Sequence, residues 1–205
     1  MPNPAVPPDL RRERALLWLL AGLQFTHLLD YLSAYQVKNV GIGEADLAYV
    51  FFCGGIATIF TARLIGWSAD HFGTRRMFSI LAWCSLVPIL VITHLPRTGL
   101  ALLLVVSTLF MVLMSGRFIP LMALVTTCVE PRVRGAFMSL SSAAQNLAAG
   151  LASLGAGALI GHSADGALTG FGTVGMFAAG LTVICILIAR RLRPAVAPTP
   201  LTAPA

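Results

Sequence analysis

Apolar residues along this chain come in blocks long enough to cross a bilayer, separated by short clusters of glycine, proline and charge. The blocks cover about 14–37, 45–66, 77–95, 99–128, 135–161 and 168–189. A soluble core has no need of apolar runs of about 20 residues, whereas a membrane-crossing helix requires them. The pattern predicts an all-α integral membrane protein, a bundle of six transmembrane helices in one domain over 14–190. The fourth block is longer than a bilayer needs, which tilt or extension past the membrane accommodates. Pro88 and Pro120 are expected to bend their helices, as membrane helices tolerate. Residues 1–13 and 191–205 read as disordered cytoplasmic tails: 1–10 and 194–205 hold four prolines each and no apolar periodicity.

Composition agrees with the pattern. Of 205 residues, 57% are hydrophobic and 11% charged, far below the roughly 25% charged residues of a soluble domain. Six spans of about 20 residues leave room only for loops and tails.

The placement of charge orients the chain. With the N-terminus inside, the cytoplasmic side receives Arg11, Arg12, Arg14, Arg75, Arg76, Arg132, Arg134, Arg190, Arg191 and Arg193, and the outside receives Lys38 and Arg97. Ten against two predicts that both termini are cytoplasmic. The net charge of +6 does not point to nucleic acid, because the basic residues flank apolar blocks instead of forming a patch interleaved with aromatics. Arg11, Arg12 and Arg14 before an apolar run resemble a signal peptide. The run is too long and lacks a small-residue cleavage site, so it reads as a retained first span. Cys53, Cys84, Cys128 and Cys185 lie far apart with no CxxC or Cys/His pair, so no metal, cofactor or disulfide is expected. GxSxG, HExxH and a spaced intramembrane carboxylate pair are all absent, which argues against an enzyme.

Gly66-Trp67-Ser68-Ala69-Asp70-His71-Phe72-Gly73-Thr74-Arg75-Arg76 joins the second and third blocks. Gly66 would let two helices approach closely, and Gly73 would permit a tight turn. Asp70 offers a charge to a helix N-terminus or an arginine, and Arg75 and Arg76 hold the connection inside. The stretch resembles the signature loop between the second and third helices of a six-helix repeat in the major facilitator superfamily, with His71 and Thr74 departing from its usual basic residues. Gly116-Arg117-Phe118-Ile119-Pro120 and Pro131 to Ser139 resemble the fourth-to-fifth helix region of bacterial sugar or drug efflux permeases. The Gln-Gly pattern after the membrane arginine and the Gly-Pro antiporter signature are missing. The resemblance implies a 3+3 helix repeat, a small-molecule substrate, proton-coupled efflux and residence in the bacterial inner membrane. It also implies a conformational-switch loop of Gly66, Asp70, Gly73, Arg75 and Arg76, with Arg134 and Gly135.

Ionisable groups inside spans are functional candidates because burial there is costly. Gln24, His27, Asp30 and Tyr31 share a helix face; the resemblance to proton-coupled members of the family implies that Asp30 carries a proton, and the alternative is that Asp30 and His27 satisfy each other or nearby backbone. Arg117, inside the fourth block, needs a partner or water, and Asp30 is the nearest opposite charge. Arg63 lies close enough to the edge to snorkel. Ser139, Ser142, Asn146, Gly150, Ser153 and Gly157 make one small polar face, read as a helix-packing surface, with Gln145 beside it reaching a cavity.

The family normally carries twelve spans, so six imply either an internally deleted or C-terminal-half form, or a natural half-transporter. A pathway then needs a homodimer or a complementary half. The alternative is a half-length remnant or membrane assembly subunit with no transport of its own.

Overall fold

The computed structural model describes residues 10–24, 31–129, 131–163 and 166–191. A chain in lipid must satisfy its backbone polar groups internally, and the described residues are mostly helical. The helices are α1 (Leu10–Gln24), α2 (Leu32–Tyr35), α3 (Asp46–Phe72), α4 (Thr74–Thr93), α5 (Leu100–Gly116), α6 (Phe118–Cys128), α7 (Arg134–Leu159) and α8 (Phe171–Arg191). A π-helical turn, Gln36–Val40, follows α2 and ends at Gly41, whose φ is 88°. Four stretches are long and apolar enough to cross a membrane: Asp46–Phe72, Thr74–Thr93, Leu100–Cys128 and Phe171–Arg191. The described part of α1 is short, at 15 residues. Gln145 and Asn146, more than its serines and glycines, hold the hydropathy of α7 below that of the four.

Several boundaries differ from those read in the sequence. Residues 10–13 belong to α1 and not to a tail, and Arg191 ends α8. The second helix runs to Phe72, beyond 66, so most of the expected loop is helix and Gly73 alone separates α3 from α4. A hydropathy block ends where side chains turn polar, but backbone hydrogen bonding continues through Trp67–His71. The fourth span breaks at Arg117. Pro120 has no N–H for the carbonyl of Gly116, and the next bond, from Leu121 N–H to the Arg117 carbonyl, is stretched to 3.4 Å.

Hydroxyls within the spans turn back onto their own helices. Thr58, Thr61, Thr93 and Thr182 donate to the carbonyls of Gly54, Ala57, Ile89 and Ala178 at 2.7–2.8 Å, because lipid offers no alternative acceptor. α3 packs on α5, α4 on α5 and α8, and α1 on α7 and α8. Short connections reverse the chain from one span to the next, so α4 runs antiparallel to α5 and α8, while α3 and α5 run parallel. One end of the bundle therefore gathers Arg75, Arg76, Arg132, Arg134, Arg190 and Arg191, and is called the basic end below.

The opposite end is closed by a hairpin that the hydropathy pattern does not announce. Gly161–His162 pairs antiparallel with Leu168–Thr169, and Asn39 clasps its outer strand. The Asn39 amide donates to the Leu168 carbonyl at 2.8 Å, and the Leu168 N–H donates to Asn39 Oδ1 at 2.8 Å. Tyr35 stacks on Phe171 with centroids 4.3 Å apart and donates to the Leu95 carbonyl at 3.1 Å. Asn39→Ala removes both clasp bonds and is expected to lower stability by about 1–3 kcal/mol, at about 0.5–1.5 kcal/mol net per bond. The Leu168 amide should then exchange faster with solvent. Unchanged exchange would show that the hairpin is held by other contacts.

Candidate functional site

The buried apolar residues form two cores stacked along the bundle. The core at the basic end includes Leu16, Leu19, Leu20, Phe78, Leu124 and Ile186. The other includes Tyr35, Ile89, Leu103, Ala152, Phe171 and Val174. On helix after helix a buried polar residue falls between the two. On α4 it is Ser85, between Ala82 and Ile89. Between α5 and α6 it is Arg117, and on α8 it is Thr182, between Ala178 and Cys185. Ser141 of α7 lies likewise between Phe137 and Ala152. The result is a polar layer at mid-depth.

Arg117 is the charged member of that layer, with only 3% of its surface exposed. The interruption between α5 and α6 falls at this residue, and Nη1 donates to Ser85 Oγ at 3.5 Å. That distance is the outer limit of a hydrogen bond. Ser85 itself donates to the Ala82 carbonyl at 2.8 Å. Gln145, half-buried on α7, donates to Ser141 Oγ at 2.9 Å, so it belongs to the same level. Gln24 ends α1, and its side chain, like His27 and Asp30, lies outside the described residues. The structure therefore brings Arg117 together with Ser85, and Gln145 with Ser141.

A second polar pair was not singled out by the sequence reading. Gln36, 2% exposed, donates to Ser107 Oγ at 3.0 Å, tying the π-helical turn to α5 within the core opposite the basic end. An amide near the end of an apolar block was the available signal. Its partner lies 71 positions away and had none.

Among the described residues, most of the small polar face of α7 is exposed, with Ser153 half-buried. Ser139, Ser142, Asn146, Gly150 and Gly157 are exposed, while Phe137, Ser141, Ala148, Ala152 and Ala156 form the buried face. Periodicity established that the stripe exists, but helix rotation is decided by the neighbours, and the alanine face fits them more closely.

At the basic end, Gly73 has φ 89° and ψ 132°, a conformation closed to residues with a side chain. This allows two spans to meet through one residue. Gly66 does not make a close approach inside the chain, since a Cβ there would meet nothing within 4 Å. Close approaches fall instead at Gly54 against Met111, Gly116 against Ile65 and Gly175 against Thr93. Asp70 is exposed and joins no ion pair among the described residues. Arg75 and Arg76 are also exposed. Arg134 caps α6, donating through Nη2 to the carbonyls of Thr126 at 2.7 Å and Val129 at 3.5 Å. This is favourable because a helix C-terminus carries partial negative charge. Gly135 is exposed in the first turn of α7.

A bundle of bilayer-length apolar helices around a buried arginine defines an integral, multi-pass membrane protein. The family is given by comparison: the chain belongs to the Major Facilitator Superfamily, whose model matches residues 4–205. Its members are membrane transporters. No curated protein and no solved structure matches the chain.

Proposed function

We propose that this protein carries a small solute across the bacterial inner membrane by proton-coupled efflux. In this reading it is a six-span half with both termini in the cytoplasm, completed by a second copy or a complementary half. The observation that carries the reading is the exposed polar face of α7. Hydroxyls and an amide facing lipid have few partners and lose favourable hydration. Such a face calls for a water-filled path or another protein surface, and a transporter half joined to its counterpart supplies both. Exposed Asp70 at the basic end is suited to the same role across the seam.

Copies bearing Asn146→Cys are expected to cross-link in the membrane. Proteoliposomes of the chain should move members of a panel of sugars and amphipathic drugs when a proton gradient is imposed. A monomeric detergent mass, with neither cross-linking nor transport, would favour the remnant or assembly-subunit reading.

The gathering of six arginines at one end supports the orientation. A reporter fused after Ala205 is expected to behave as cytoplasmic, and one inserted near Asp165 as external. A C-terminal tag reachable only from outside would sink both the orientation and the six-span count.

A further inference from the structure

A cleft of about 940 Å³ opens at the basic end between the start of α4 and the end of α8. Its volume falls within the range of small-ligand pockets, about 300–1,000 Å³. Arg75, Arg76 and Arg190 line it, and no acidic side chain does among the described residues. Farther along α4 the wall continues through Ser79, Ile80 and Trp83. These α4 residues recur at steps of three and four, so they share one face, turned away from the fully buried Phe78 and Ala82. Ile80 and Trp83 are 47% and 44% exposed, which in a membrane-spanning helix places them against acyl chains. The first turn of α4 adds backbone N–H groups without intrahelical partners, and these favour an anion.

We infer that this cleft binds an anionic phospholipid, with its phosphodiester among Arg75, Arg76 and Arg190 and an acyl chain along Ile80 and Trp83. The division of the walls carries the choice of ligand. A soluble phosphate would use the arginines but leave the apolar wall without a role. A zwitterionic lipid would bring its own cation toward three guanidinium groups. Arginines that served only to orient the chain would not need to converge, yet these reach one cleft from helices more than a hundred positions apart in sequence. Basic pockets between membrane helices on the cytoplasmic side suit anionic headgroups.

The test uses the full chain with Trp18→Phe and Trp67→Phe, which leaves Trp83 as the single tryptophan. It is reconstituted in phosphatidylcholine vesicles containing a small fraction of either dibrominated phosphatidylglycerol or dibrominated phosphatidylcholine. Bromine quenches indole fluorescence on contact. Phosphatidylglycerol is expected to occupy the Trp83 site with a preference on the order of tenfold or more over phosphatidylcholine. Arg75→Gln, Arg76→Gln and Arg190→Gln together should abolish the preference, whereas Arg11→Gln, Arg12→Gln and Arg14→Gln together should leave it. Equal quenching by the two lipids in the protein with all its arginines would overturn the inference without relying on any arginine variant. So would a preference that survives the first triple change. Inorganic phosphate that relieves the quenching by phosphatidylglycerol at equal concentration would assign the cleft to free phosphate instead.

Discussion

Arg117→Met combined with Asp30→Leu is expected to abolish proton-driven transport in proteoliposomes while leaving the thermal unfolding temperature in detergent unchanged or raised. Arg117 is buried between two apolar cores, and methionine fills comparable space without a charge to desolvate. Replacing buried ionic groups by apolar ones of similar volume is often neutral or stabilising, by about 1–4 kcal/mol. Ser85 is not orphaned by the change, because its hydroxyl already donates to the Ala82 carbonyl. An ionic group that adds nothing to stability and yet sits at mid-depth in a transporter is proposed to be held there by function. The 3.5 Å contact to Ser85 is too long to satisfy a guanidinium, so Asp30 is proposed as its counter-charge. Asp30→Asn or Arg117→Gln alone should each cost about 3–5 kcal/mol by leaving one charge uncompensated. The double change should recover part of that loss while proton coupling stays absent. Strictly additive effects in the double-mutant cycle would make the two charges independent.

Gly170→Ala is expected to deplete folded protein, whereas Gly166→Ala is tolerated with a modest loss. Both glycines have positive φ, 81° and 75°, and each alanine therefore meets backbone strain of about 1–3 kcal/mol. They differ in surroundings. A Cβ on Gly170 would lie 2.5 Å from the Leu159 carbonyl oxygen, while one on Gly166 would meet nothing within 4 Å. The carbonyl is backbone at the end of α7 and cannot rotate away as a side chain can, so overpacking adds roughly 1–3 kcal/mol at Gly170 only. Thermal unfolding of the two variants in one detergent isolates that contribution. Equal losses would mean that the α7–α8 connection shifts freely.

Hydropathy blocks located the four bilayer-length apolar helices because the bilayer constrains side-chain polarity over a fixed length. They misjudged where helices stop, as at Phe72, because a helix ends when its backbone hydrogen bonds end. The π-helical turn and hairpin were not legible, since the clasp joining them depends on Asn39 meeting Leu168, 129 positions away. Arg117 was legible as a charge in an apolar block. Its hydroxyl contact was not, because serines are common in these spans and only packing selects Ser85. The small polar stripe of α7 was visible as a periodicity but not as a direction. Its exposure emerged only once the neighbours of α7 were placed. Gln24, His27 and Asp30 stand as sequence-derived candidates for the wall of the pathway.

The position of Arg117 also bears on how the chain is made. Arginine at the centre of a span weakens its insertion by about 2.5–3.5 kcal/mol, and the span Leu100–Cys128 offsets this with a mean hydropathy of 2.1. Helix α4, bearing Ser85, leaves the ribosome before that span does. Insertion in chain order would therefore place its hydroxyl in the bilayer ahead of Arg117, offering the guanidinium a polar wall instead of acyl chains.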